Sequence, residues 1–305
     1  MGTQGSATFD KSARRVLSAI IDRRAPHSTT QEEPAAGELA ELRKQVETLA
    51  QRQRSVELLL AGDGRGMARM PSPNNLSALA NELATFTGDR GPALRNVHVA
   101  FRLLVAFEAI GVGRIAGGTM NICGKLAAAP LLAPPNNEVL EIGTLYGMFG
   151  AALLRMLERS GRDPQFTIID PLVGTQLQNG SSITNDASGT PVEERAVHTN
   201  LALAGAAGQR TRLHVGYSTD PAAQAAVGDR EYGLIIVDGD HSREGVIADL
   251  AWVEKIVAPG GVVILDDFGD AKWPGVEQAW EHHASNGTRL RLLGRAASSG
   301  YLRAD

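Results

Sequence analysis

Apolar positions along the chain fall into three textures. From Glu38, residues Leu39, Leu42, Val46, Leu49, Gln53, Val56 and Leu60 recur at alternating steps of three and four, with Glu and Lys/Arg at many flanking positions. That is the seam of an amphipathic helix, read either as a short coiled coil with one polar member or as a helix packed on its own domain. From Leu76 the spacing stays helical, predicting helices over Leu76–Thr85, Ala93–Ile110 and Met120–Leu132, with breaks at Gly111, Gly113 and Gly117-Gly118. After Pro134-Pro135 the texture changes to short apolar runs that stop abruptly at an acid or a glycine.

Those runs predict strands at Glu138–Ile142, Phe166–Ile169, Thr211–Val215, Leu234–Val237, Val262–Leu265 and Leu290–Arg295, with Gly300-Tyr301-Leu302 a candidate for one more. Helical spacing fills the intervals over Met148–Leu157, Ala196–Ala206, Pro221–Val227, Arg243–Val257 and Val276–His283, and Pro259-Gly260-Gly261 is expected to close the fourth of these helices. Strand and helix in alternation define an α/β class: a doubly wound, Rossmann-like sheet with helices on both faces, preceded by a helical N-terminal region. The expected organisation is a flexible tail over 1–36, an amphipathic or coiled-coil helix and linker over 37–75, a helical cap region over 76–133, and the sheet domain over 134–305. The polar stretch 174–194, GTQLQNGSSITNDASGTPVEE, is long for a loop inside a compact domain and reads as a lid or binding loop. Ser12–Ile21 is a short helical candidate within the tail.

Composition narrows the function classes. Lys+Arg 30 against Asp+Glu 34 leaves a net charge of -4, so no electrostatic case exists for nucleic acid or an anionic membrane. The one cysteine, Cys123, excludes an internal disulfide and a cysteine-rich metal site, and reads as a small core residue. Val16–Ile21 is too short for a signal-peptide core or a membrane span, so a cytoplasmic location is expected. Self-association through the heptad seam would make the protein a homo-oligomer.

In an open parallel sheet, ligands bind at the carboxyl ends of the strands, and chemistry-bearing residues gather there in this sequence. Val139–Gly147, VLEIGTLYG, has the form strand, acid, x-Gly-x-x-x-Gly, helix. Gly143 and Gly147 permit close backbone approach, but their spacing departs from the dinucleotide fingerprint G-x-G-x-x-G. Glu141 suits an amine-bearing ligand, and Asp170, ending the second strand, suits a pair of ribose hydroxyls. A strand-ending acid is also an ordinary helix cap or turn former. Thr144, Tyr146, Tyr217 and Ser218 lie in the same loops. Farther on, Asp238 follows one strand and Asp266-Asp267 another, and three carboxylates brought together repel unless a cation shares the site. Asp240 reads as a cap for the helix after Ser242, His241 as a base or a plain helix-start residue, and Trp273 as pocket lining or packing. Trp252, His198 and His214 read as structural, and His282-His283 as exposed.

Taken together, Glu141-x-Gly143-x-x-x-Gly147, Asp170 and the βαβ unit with its DGDH and LDDF strings resemble the class I S-adenosylmethionine-dependent methyltransferases over roughly 134–305. Within them the chain is similar to the metal-dependent O-methyltransferases, both the catechol type and, nearer in those two strings, the enzymes that methylate macrolide sugars. The resemblance implies S-adenosylmethionine held by Glu141, Gly143, Thr144, Tyr146, Gly147, Asp170, Tyr217, Ser218 and Asp238. It further implies Mg2+ or another divalent ion on Asp238, Asp266 and Asp267, and His241 as catalytic base. The expected acceptor is a small-molecule or glycoside hydroxyl in natural-product biosynthesis. The rivals are a catechol or phenol O-methyltransferase, a hydroxylase-like relative, and a non-catalytic scaffold.

Overall fold

A computed structural model of the protein describes residues 32–60, 70–173 and 190–305. The candidate helix Ser12–Ile21 and most of the expected lid, residues 174–189, lie outside the described residues. The chain divides into two units, residues 1–55 and 56–305. Helix α1, Glu32–Leu60, is continuous, and its seam residues Leu42, Val46 and Leu49 are exposed. The side chains of Gln53, Val56 and Leu60 lie outside those described. Among the described residues, no helix is long and apolar enough to cross a membrane.

The larger unit opens with helices α2 (Pro73–Thr87), α3 (Arg90–Ile110) and α4 (Thr119–Leu131). The first starts earlier than its apolar spacing predicts. Ser72 accepts a hydrogen bond from the Asn75 amide, Asn75 answers with its side chain, and Pro73 supplies a pre-set first turn. Asp89 similarly caps α3 through the Gly91 amide.

The remaining elements follow in order: β1 (Glu138–Ile142), α5 (Met148–Arg159), β2 (Gln165–Asp170), α6 (Glu194–Ala202), α7 (Ala206–Gln209), β3 (Arg212–Val215), α8 (Pro221–Val227), β4 (Tyr232–Val237), α9 (Arg243–Ile256), β5 (Val257–Leu265), α10 (Pro274–Ser285), β6 (Leu290–Ala296) and β7 (Ser299–Ala304). The 7-stranded sheet has the order β3-β2-β1-β4-β5-β7-β6. Strands β1 to β5 pair in parallel, while β7 runs antiparallel to both β5 and β6. The doubly wound sheet is therefore mixed at one edge, and the candidate seventh strand lies between β5 and β6.

Two predicted boundaries move. The stretch read as one helix over Ala196–Ala206 is two, broken at Gly205, whose φ of 73° leaves the helical region. Helix α9 stops at Ile256, and Pro259-Gly260-Gly261 lies inside β5, not at the helix end. Val257 is buried and already pairs with Tyr232, so the chain enters the sheet at once, and the ladder shifts register before Leu234–Val262.

One sheet face, carrying Val139, Ile168, Leu234, Ile236, Val262 and Ile264, shares its core with α2 to α7. The other, carrying Leu140, Ile142, Ile235, Val237, Val263 and Leu265, packs on α8, α9 and α10. Order reverses between β1 and β4, which pair with each other yet are distant in sequence. That topological switch point opens the crevice described below.

Gly143 sits at the mouth of this crevice with φ of 84°, and a Cβ there would overlap the carbonyl of Asp238. Gly143→Ala is expected to cost more than about 2 kcal/mol of stability, through strain plus overlap with backbone that cannot step aside. Denaturant melts of the two proteins check it.

Candidate active site

The last ladder bonds of the parallel strands set the site. Gly143 donates to the Ile169 carbonyl, Asp238 to Ile142, Asp266 to Val237, and Gly216 to Asp170, so the strand ends finish level with one another. Side chains alternate faces along a strand. Glu141 therefore points to the same face as Val139, Asp238 to that of Ile236, and Asp266 to that of Ile264, the face covered by α4 and α5. A cavity of about 450 Å³ opens there, lined among others by Glu141, Gly143, Thr144, Asp170, Asp238 and Asp266. Small-molecule sites have this size.

At one end lies the glycine loop. Glu141 is buried and accepts a hydrogen bond from the Thr144 hydroxyl at 2.8 Å. Burial pushes its carboxyl up to about 8, against the Thr144 hydrogen bond and aided by the charge of Asp238. Asp170 clamps the loop: its Oδ2 accepts from the amides of Thr144 at 2.6 Å and Leu145 at 3.1 Å, and its Oδ1 from Leu172 at 2.7 Å. Leu145, held by this clamp, has a φ of 56°, a region costly for a branched side chain. Ser218 and the half-exposed Tyr217 line the far wall. Two residues assigned to cofactor by resemblance are not in the lining. Tyr146 is buried under Gly113 with its hydroxyl donating to the Thr190 carbonyl, and Gly147 starts α5 with φ of 76° against Val197.

At the other end stand the acids. Asp238, Asp266 and Asp267 all line the cavity together with His241 and Trp273. His241 is buried, and its Nε2 lies 3.4 Å from Asp238 Oδ1 and its Nδ1 3.3 Å from Asp267 Oδ2. These are ion-pair distances for an imidazolium, but neither nitrogen makes a well-formed hydrogen bond. Trp273 meets the imidazole edge-on, with centroids 5.2 Å apart. One donor atom each from Asp238, His241 and Asp266 falls within 4.8 Å of the others, the spacing of ligands around a metal ion. Asp267 has a φ of 52°, so its backbone is bent to present the side chain here.

The sequence reading missed what α4 brings. Asn121 and Lys125, one turn apart on a helix whose buried positions are otherwise mostly apolar or small, reach down to the acids. Lys125 Nζ pairs with Asp238 Oδ2 at 2.8 Å and also with Asp266 Oδ1, while lying 4.7 Å over the Phe149 ring. Asn121 Nδ2 donates to Asp266 Oδ1 at 2.8 Å and to Asp267 Oδ1 at 3.4 Å, and its own Oδ1 accepts from Ser299 of β7. A lysine inside an apolar helix was the available signal. Burial opposes its charge, but Asp238 and Asp266 more than offset that and hold the ammonium above the ordinary lysine range. Burial and the charge of Asp238 push Asp266 up to about 7 despite Lys125. Asp238 is held well below the carboxylate range: burial works the other way, but Lys125 and then His241 outweigh it.

The remaining candidates sort plainly. Asp240 braces the cap, accepting from the Ser242 amide at 2.8 Å, while Ser242 itself caps α9. Trp252 and Cys123 are core, and His198 is a surface residue near Glu194. His283, expected to be exposed, is half-buried 2.9 Å from Glu254.

A doubly wound sheet with a glycine loop, two loop-binding acids and a second acid cluster at one switch point is the layout expected of a class I methyltransferase. Residues 140–268 match the family described as a methyltransferase domain. No protein of curated function matches the chain. Among solved structures, it is similar to cofactor-bound Rv0187 from MTB, at 20% identity over 77% of this chain and 98% of that one with a TM-score of 0.45. It is also similar to the O-methyltransferase TomG from Streptomyces achromogenes, at 18% identity over 68% and 88% with a TM-score of 0.41. The O-methyltransferase NovP gives 16% over 74% and 97%, with a TM-score of 0.46.

Glu141 makes the ligand-free protein pH-sensitive in a defined sense. Its folded value of about 8 lies above the ordinary 4.5, so the folded state holds a proton that the unfolded state releases between those limits. Stability from this group is therefore present below pH 4.5 and is lost as pH rises through 8. Glu141→Gln is expected to remove that decline, seen as a shallower fall of Tm with pH than wild type across the same window.

Proposed function

We propose that this protein is an S-adenosylmethionine-dependent O-methyltransferase acting on a hydroxyl of a sugar or glycosylated natural product, with a divalent cation, Mg2+ by preference, in its acid centre. One observation carries the reading. The glycine loop with Glu141 and Asp170, and the centre of Asp238, His241, Asp266 and Asp267, open onto the same cavity.

The residues suit both groups. Gly143 leaves room where a side chain could not fit, and Glu141 offers a buried carboxylate suited to the cofactor's amine. The three aspartates offer hard oxygen ligands, as Mg2+ prefers, in the second oxygens left over by Lys125 and Asn121. When bound, the cofactor supplies a sulfonium methyl, and the cation lowers the pKa of a hydroxyl that hardly ionises at neutral pH.

The chain's own part is positioning and proton removal. Asp267 lies against His241 Nδ1 and Asp238 against Nε2, and the imidazole borders the cavity, which supports His241 as the group that takes the acceptor's proton. A cofactor held by Glu141, Gly143 and Asp170 would supply the methyl group for that oxygen. Holding both reactants near attack distance contributes up to ~7–11 kcal/mol to lowering the barrier. Trp273, edge-on to His241, provides an apolar wall for a sugar ring. Arg114 and Lys272 also border the cavity, so its lining carries positive charge beside the acids.

A second reading concerns roles alone. The convergence of Asp238, His241 and Asp266 favours His241 as a cation ligand, which would leave another group to take the proton. The pH–rate profile of His241→Gln separates the two, because loss of a base removes its acidic limb at saturating metal.

Transfer of labelled methyl to a panel of glycosides and catechols, run with Mg2+ and with EDTA, tests the function. Transfer to glycosides that stops in EDTA is expected. Catechols as the best acceptors would overturn the sugar assignment, and transfer persisting in EDTA would overturn the metal. Asp267→Asn is expected to lower turnover by about a hundredfold or more while cofactor affinity changes little, since this acid lies at the reacting end of the cavity. Equal losses in both would assign the acid to folding. Calorimetry with the cofactor beside single-turnover kinetics distinguishes them.

A further inference from the structure

The buried lysine changes the charge of the acid centre, and nothing in the family resemblance gave it a place. Lys125 is 2% exposed and its ammonium is bonded to Asp238 Oδ2 and Asp266 Oδ1. Asn121, one turn earlier, holds Asp266 and Asp267, and is itself held by Ser299. Each of these contacts uses one oxygen of a carboxylate. Asp238 Oδ1 and Asp267 Oδ2 are instead turned to His241, which is 6% exposed and has neither ring nitrogen in a hydrogen bond. The helix thus fixes the rotation of the acids and so decides which oxygens face inward.

Charge follows from the same contacts. With the three carboxylates ionised as cation ligands and His241 neutral, one fixed ammonium leaves two negative charges, the complement of one divalent cation. Without Lys125 the same pocket would attract a cation more strongly, or accept a second one, because a unit charge a few ångströms away is felt strongly in a buried site. Its desolvation would be wasted if it served packing alone, since an apolar side chain fills such space at less cost.

We propose that Lys125, steadied by Asn121, is a positioning residue that limits the acid centre to a single, exchangeable divalent cation and orients Asp238 and Asp266 toward it. This inference rests on the divalent-cation reading above, and the experiment separates the two. A weakly held cation suits a site that must release a methylated product and take up a new hydroxyl each turn.

Mn2+ titration of the full chain with S-adenosylmethionine present, read by electron paramagnetic resonance for affinity and stoichiometry, is the test. Wild type is expected to take one ion. Lys125→Met is expected to bind Mn2+ about tenfold tighter or more, or to bind a second ion, while Lys125→Arg keeps wild-type behaviour. Lys125→Gln, which can still donate to the same carboxylates, is the measurement of record if the Met variant does not fold. It is expected to tighten binding likewise, and unaltered cofactor affinity reports that its glycine loop is intact. A folded Gln or Met variant with wild-type affinity and stoichiometry overturns the role of Lys125 alone. A wild-type chain that binds no Mn2+ overturns the divalent-cation reading, and this inference with it.

Discussion

An ammonium group buried among carboxylates at the end of a sheet constrains everything around it. Lys125 reaches Asp238 and Asp266 from α4, and neither charge could sit so far from water without the other. The contact joins three separate stretches of chain: the helical region before the sheet, the end of β4 and the end of β5. It also explains why α4 lies over those strands with so little slack. Ala127, Ala128 and Ala129 are completely buried on the same helix, and only small side chains let its backbone come close enough for a lysine to span the gap. Gly124 is tight for the same reason, with the Tyr301 hydroxyl 3.3 Å from where a Cβ would stand.

From that contact the division of labour in the cavity follows. The glycine-loop end is made rigid by backbone: Asp170 spends its carboxylate on loop amides, so it shapes the loop as well as facing the ligand. The acid end is made rigid by side chains, through the network running from Ser299 to Asn121 to the aspartates. Such networks in a low-dielectric setting hold geometry well only when every member is matched. Here the member left unmatched is His241, the group the proposed chemistry needs to be available.

Much of this was legible in the sequence, for a physical reason. Parallel strands buried on both faces are short, apolar and sharply ended, so β1, β2, β4 and β5 announced themselves, and the acids after them marked the carboxyl edge. Local backbone chemistry was less legible. The early start of α2 depended on the reciprocal Ser72–Asn75 bonds, and the end of α9 on Val257 finding Tyr232 across the sheet, which no window of sequence contains. Tyr146 lay within a motif but its hydroxyl was claimed by Thr190, a partner over forty residues away. Lys125 was the largest omission. Between Ile122 and Leu132 it is the lone charged residue, and it drew no reading from the sequence because its partners are 113 and 141 positions distant.

That omission shows why the helical region before the sheet is not an accessory. A cap that merely covered a pocket would place apolar or neutral side chains over it, whereas α4 places a cation and an amide against the acid end. The same helix shares its apolar face with the sheet core, so the orientation of Lys125 is fixed by the packing that stabilises the fold. Any change in α4 that alters its seat on β4 and β5 must move the ammonium relative to Asp238 and Asp266, and with it the oxygens those acids present to the cavity. In the function proposed here, acceptor binding, cation binding and folding are therefore coupled through one helix, and substitutions in it would act on the chemistry without touching the substrate.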